Sequence, residues 1–155
     1  MSSFKYKLTF EIISLIGAAI IGVLLILPII ISSPNYQFLY SHFIFIFLFI
    51  TFSRYIFFLK FTLFSRYTPV KLVFIFLTIP LAVLLTDEFS KFQEFSDTVG
   101  LQELVKNMNA NKQSGMTAFI KNQMLFFGAG SVVATILLAF RMLISIWRVR
   151  NRDRV

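Results

Sequence analysis

"FEIISLIGAAIIGVLLILPIII", residues 10–31, is an apolar run that holds a single charged side chain, Glu11. A helix needs about 20 apolar residues to cross about 30 Å of hydrocarbon, so this run is long enough to span a membrane. Lys5 and Lys7 precede it, as basic residues precede the core of a secretory signal peptide. However, the run exceeds the roughly 7–15 apolar residues of such a core, and no A-x-A cleavage site follows. We interpret it as an uncleaved transmembrane helix.

The composition of the whole chain supports a membrane protein. The chain has 155 residues, of which 57% are hydrophobic and 14% are charged, whereas a soluble domain has roughly 25% charged residues. A domain of this size cannot bury so much apolar surface in its own core. With no cysteine, disulfide and thiol chemistry are excluded. The fold class expected is an all-α integral membrane protein whose excess apolar surface faces lipid or other membrane subunits.

Three further apolar runs follow the first. The second run stays apolar as far as Phe64, which is too long for one perpendicular span, and Pro69 blocks its continuation. The third run is short, and we expect Asp87 and Glu88 to end it. We predict four transmembrane helices in a single domain of residues 1–155, at about 10–31, 36–60, 70–86 and 124–147.

The only substantial polar segment, residues 87–121, separates the third and fourth predicted spans. Phe89, Phe92 and Phe95 recur at helical spacing, and a second apolar set follows Gly100. This pattern predicts one broken amphipathic helix or two short ones. The sequence "NMNANKQSG", residues 107–115, is typical of a loop.

Basic residues are distributed unequally between the two sides of the predicted membrane. The two termini and the link between spans two and three together hold eleven Lys and Arg residues against two acids, a net charge of +9. Segment 87–121 holds four lysines against five acids, a net charge of −1. Because cytoplasmic loops carry an excess of Lys and Arg, both termini are predicted to be cytoplasmic and segment 87–121 to be periplasmic.

Three ionisable residues fall within the inner half of the predicted bilayer: Glu11, Arg54 and Arg141. Arg54 belongs to "FSRY", residues 52–55, a motif repeated around Arg66, and twelve residues separate the two arginines. Their directions on a continuous helix would differ by about 120°, so we interpret the repeat as coincidence. Charged residues at membrane depth are costly and are usually paired or functional. We consider a Glu11–Arg54 pair, a Glu11–Arg141 pair, snorkelling of all three to water, and a proton or ion relay.

Small residues mark two faces on which neighbouring helices are expected to pack closely. Small residues four apart let helix backbones approach one another in lipid. The first span and the fourth span each carry such a set, whereas the second and third consist almost entirely of Phe, Ile and Leu. The predicted packing residues are Gly17, Ala18, Gly22, Gly128, Gly130 and Ala134.

No catalytic or cofactor motif appears in the chain. His42 is the single histidine, so paired-histidine metal motifs are excluded, and no phosphate-binding glycine loop or nucleophile elbow is present. A metal or proton site formed by His42, Asp87 and Glu88 is weighed against three interfacial residues at helix ends, and the second interpretation is favoured. We therefore predict no enzyme activity, no metal and no cofactor. Nucleic-acid binding is not expected, because the basic residues are scattered at helix ends.

The remaining basic residues and one tryptophan are predicted to anchor the protein at the cytoplasmic interface, near anionic lipid headgroups. Heavy use of Phe, Ile, Lys and Asn indicates an AT-rich genome, so we expect a multi-pass protein of a bacterial inner membrane. The function favoured is a non-enzymatic subunit of a larger transport, secretion or energy-transducing complex. A small oligomeric transporter or ion channel is the alternative. The predicted anchors are Lys60, Arg66, Lys71, Trp147, Arg148 and Arg150.

Overall fold

The computed structural model describes residues 2–59, 62 and 68–152. In these ranges the chain is mostly helical, and four helices are long and apolar enough to cross a membrane. They are α1 (Ser2–Ser32), α2 (Leu39–Phe58), α3 (Thr68–Thr98) and α4 (Ala110–Arg152), with a 3₁₀ helix, Leu101–Val105, between the last two.

Helix α3 continues beyond the point where the sequence predicts its end. Asp87 and Glu88 do not stop it, and it extends to Thr98. Lys91 contacts both acids, at 2.8 Å from Asp87 Oδ2 and 2.8 Å from Glu88 Oε1, which is the spacing that supports a helix. Phe92 is buried in the core, so the amphipathic set that we assigned to a separate helix forms the last turns of α3.

Gly100 separates the two apolar sets, as the sequence predicts. Its φ of 88° is a value that glycine adopts readily, and its backbone N–H donates to Phe95 O at 3.1 Å. The loop predicted for 107–115 is shorter than expected, because α4 begins at Ala110. The Lys112 N–H donates to Asn109 O at 2.8 Å, so the helix starts inside the polar stretch.

Helix α4 is the centre of the bundle. It packs along both α2 and α3, while α1 packs mainly against α2. One core cluster surrounds Phe45, Phe92 and Met124, and a second surrounds Leu138 and Met142. The helices are therefore arranged in the order α1, α2, α4, α3.

The interhelical contacts fix which helix ends lie together. Arg54 of α2 meets Glu11 of α1, and Lys71 of α3 meets Ser145 of α4. The start of α1, the end of α2, the start of α3 and the end of α4 therefore share one end of the bundle, which we name the Arg54 end. The α1–α2 loop and the 3₁₀ helix share the opposite end, named the Gly100 end, where Ser33 Oγ donates to Leu104 O.

Candidate functional site

A buried cluster of charged and polar side chains joins α1 to α2 near the Arg54 end. We name it the charge cluster, and it consists of Glu11, Ser14, Arg54 and Tyr55. The Arg54 guanidinium donates through Nη2 to Glu11 Oε2 and through Nη1 to Ser14 Oγ. The side chains of Arg54 and Glu11 are 13% and 7% exposed, so the ion pair is largely withdrawn from its surroundings.

The other members of the cluster complete the hydrogen bonding of this pair. Tyr55 Oη donates to Glu11 Oε2 at 3.3 Å, and Ser14 Oγ is 2.8 Å from Phe10 O, to which it donates. The guanidinium carbon of Arg54 lies 4.5 Å from the Tyr55 ring centroid and 5.7 Å from the Phe10 ring centroid. Since a buried ion pair is tolerated only when further contacts satisfy both partners, the cluster can hold its charges inside the bundle.

Arg141 has a different partner from the one considered in the sequence. Its Nε donates to Ile56 O at 3.0 Å. Ile56 lies in the last turn of α2, where backbone carbonyls have no partner within the helix. A cation is favourable at a helix C-terminus, so Arg141 of α4 caps the end of α2. Of the two pairs predicted for Glu11, the structure brings together the one with Arg54.

Lys71 lies inside the bundle and not at its surface. Its side chain is 1% exposed, and Nζ donates to Ser145 Oγ at 3.0 Å. Lys71, predicted as an interfacial anchor, thus faces α4 and links the start of α3 to it. Lys60 and Arg66 lie outside the described residues, whereas Trp147, Arg148 and Arg150 are exposed at the end of α4.

Three of the predicted small residues of α1 and α4 contact phenylalanine rings. A methyl group added at Gly130 would lie 2.9 Å from Phe49 Cδ2. A methyl group added at Gly128 would lie even closer to the Phe89 ring. Ala18 and Ala134 are buried, but a methyl group at Gly17 would meet no atom within 4 Å. The predicted faces thus receive aromatic side chains. The three ring contacts pair Gly22 with Phe43, Gly128 with Phe89, and Gly130 with Phe49.

The acids at the Gly100 end are engaged by neighbours. Ser41 Oγ donates to Glu88 Oε2 at 2.7 Å, and Lys91 bridges Glu88 and Asp87. His42 is fully buried, with Nδ1 3.3 Å from Tyr36 Oη. Across residues 2–59, 62 and 68–152 there is no group of three or more His, Cys, Asp and Glu side chains that could hold a metal ion. The recorded hydrogen bond of the His42 ring is thus to Tyr36, whereas Glu88 bonds to Ser41 and Lys91.

Sequence reasoning missed Ser14, Tyr55 and the carbonyl of Ile56 as partners of the charges. Ser14 lies three residues after Glu11 on the same face of α1, so helical spacing contained a signal for it. Tyr55 follows Arg54 directly, and sequence spacing alone gives no reason for both to reach Glu11. If the end of α2 at Phe58 were predicted, the Ile56 carbonyl would be among those that need a partner outside the helix.

Comparison of the chain with protein-family models, with curated proteins and with solved structures gives no match.

Proposed function

We propose that this protein is a non-enzymatic integral membrane subunit that acts as a scaffold or accessory chain in a larger membrane complex. The observation that carries the proposal is that the charged side chains at predicted membrane depth bond to neighbouring helices of the bundle. Glu11 and Arg54 engage one another, Arg141 caps α2, and Lys71 bonds to Ser145. These groups serve to close the bundle, whereas a transport relay needs a charged group that can exchange partners along a path.

The outward surface supports an assembly role. Large apolar side chains such as Ile16, Leu24 and Phe76 are each more than half exposed along α1 and α3. Such surface is covered by lipid or by other membrane chains. The described residues lie mostly in the four long helices, so we expect a partner to supply the chemistry.

We further propose that the Arg54 end faces the cytoplasm of a bacterium and that the Gly100 end faces the periplasm of its inner membrane. The excess of Lys and Arg near the Arg54 end supports this orientation. A cytoplasm-active reporter inserted at Asn109 is expected to be inactive, and a periplasm-active reporter at the same site is expected to be active. The reverse pattern would contradict the orientation without bearing on the assembly role.

The assembly role is tested by purifying the tagged protein in a gentle detergent and identifying the chains that accompany it. We expect other membrane proteins at a fixed ratio to the tagged chain. A homo-oligomer without other chains that conducts an ion or solute in liposomes would overturn the proposal and favour a small transporter or channel.

A further inference from the structure

A groove between α3 and α4 lies on the outside of the bundle, toward the Arg54 end. Its volume is about 410 Å³, and its lining is almost wholly apolar. Ala82 of α3 and Ala139 of α4 leave space on the two walls, and the larger Ile79, Val83 and Phe140 stand beside them. Ile79, Val83 and Phe140 are each more than half exposed, so no other part of the described chain covers the groove.

One wall of the groove leads to a cationic end. Leu143 lines the groove, and Trp147 and Arg150 follow it at spacings of four and three residues, so all three lie along one stripe of α4. Trp147 is 67% exposed, and Arg150 is also exposed. At about 1.5 Å per residue, Arg150 lies roughly 10 Å beyond Leu143 along the helix. The stripe therefore runs from apolar groove to interfacial aromatic to cation.

We propose that this groove and stripe bind one anionic phospholipid. One acyl chain occupies the groove, the Trp147 indole lies at the level of the glycerol backbone, and the Arg150 guanidinium binds the phosphate. Tryptophan favours the interface between hydrocarbon and headgroups, and arginine matches the paired oxygens of a phosphate. The order of these groups along α4 is the order of hydrocarbon, interface and phosphate in a lipid.

The charge at the end of the stripe is the reason to choose a lipid over a partner helix. A transmembrane helix would fill an apolar groove equally well, but it has no general need for a cation about 10 Å beyond the groove. Lys71, a cation near this end of α3, is buried against Ser145 and does not extend into the stripe. Arg148 is exposed on α4 too, but it lies two residues from Arg150 and about 160° away around the helix.

The test measures binding of phosphatidylglycerol and of phosphatidylcholine with identical acyl chains to the purified protein in detergent, by native mass spectrometry. The wild-type chain is expected to bind one phosphatidylglycerol more tightly than phosphatidylcholine. Arg150→Gln should weaken phosphatidylglycerol binding by about fivefold, which corresponds to the ~1 kcal/mol that one arginine contributes at an anionic surface. Arg148→Gln is the charge-matched control and should leave this affinity unchanged.

Filling the groove tests the acyl-chain contact separately. Ala139→Leu should weaken binding of both lipids. Ala82→Leu fills the groove from the opposite wall and should also weaken binding of both lipids, so the test still stands if one of the two variants folds poorly. Ala129→Leu, on the exposed surface of α4 outside the groove lining, is the volume-matched control. Equal effects of Arg148→Gln and Arg150→Gln, or unchanged binding in both groove variants, would overturn the proposal. So would stoichiometric photocrosslinking of another protein, in native membranes, to a probe placed at Val83.

Discussion

Two kinds of seam hold this bundle together. Between α1 and α2 the half near the Gly100 end relies on the Phe43 ring that contacts Gly22, and the half near the Arg54 end relies on the charge cluster. Between α4 and its two neighbours the seams consist of Phe49 and Phe89 against glycines and of the buried Leu138 and Met142. The first seam thus combines apolar packing with a buried ion pair, whereas the α4 seams are mainly apolar.

The difference shows how a peripheral helix can be held in a chain surrounded by apolar material. Lipid is as apolar as leucine, so apolar contacts alone distinguish weakly between a helix that packs and one that drifts into lipid. Helix α4 has neighbours on two sides, but α1 packs mainly on one. A buried ion pair that has a single correct partner gives α1 a defined position, which we regard as its structural role here.

The largest effect is expected from breaking the ion pair on one side. Glu11→Gln or Arg54→Gln leaves the partner side chain buried without its counter-charge, and each should lower the free energy of unfolding by about 3–5 kcal/mol. Reversible denaturation in mixed detergent micelles measures this change. Arg148→Gln removes an exposed charge and should have little effect. A small effect of both cluster variants would mean that the charges reach water.

A smaller effect is expected from adding a methyl group at a glycine that contacts a phenylalanine ring. In Gly128→Ala the added methyl group would meet the Phe89 ring, so the ring must shift and the free energy of unfolding should fall by about 1–3 kcal/mol. Gly115→Ala is the control on the same helix, because its methyl group meets no atom within 4 Å and alanine favours a helix. Equal results for the two variants would contradict the close ring contact.

A still smaller effect is expected from removing the contact of Arg141 with the end of α2. Arg141→Met keeps most of the side-chain length but removes the hydrogen bond to Ile56 O and the charge at the end of α2. We expect the free energy of unfolding to fall by about 1 kcal/mol. Hydrogen exchange of the last turn of α2 should increase. Exchange that rises in α1 instead would indicate that Arg141 acts through Glu11.

The smallest effect is expected at the exposed charges of α3. Lys91→Ala removes contacts to Asp87 and Glu88, whose side chains are well exposed, and such ion pairs contribute little in water. No measurable change in the denaturation midpoint is expected. A marked loss of stability would show that the last turns of α3 depend on this surface pair and less on the burial of Phe92.

The sequence predicts the helical class, the four apolar helices and the break at Gly100, because length, hydropathy and glycine act locally. It does not predict that α3 passes through Asp87 and Glu88, since burial of Phe92 against other elements decides that extension. A span prediction also locates the part of a helix that crosses hydrocarbon, and α4 extends beyond that part at both ends.

The charged residues of the candidate site can be predicted from the sequence, but the residues that they contact cannot. A charged residue within an apolar run identifies itself, so Glu11, Arg54 and Arg141 can be selected from the sequence. The choice between Arg54 and Arg141 as the partner of Glu11 depends on which helices are neighbours, and α1 lies against α2. The bond from Lys71 to Ser145 has no sequence signal, because Ser145 is uncharged and lies 74 positions away.

The coupling free energy between Glu11 and Arg54 tests the central claim most directly, that their ion pair holds α1 against α2. A double-mutant cycle compares Glu11→Gln, Arg54→Gln and the double variant by their free energies of unfolding in mixed micelles. The account predicts that the double variant is more stable than the sum of the two single effects implies, with a coupling of about 2–3 kcal/mol. Effects that add, with no coupling, would contradict it.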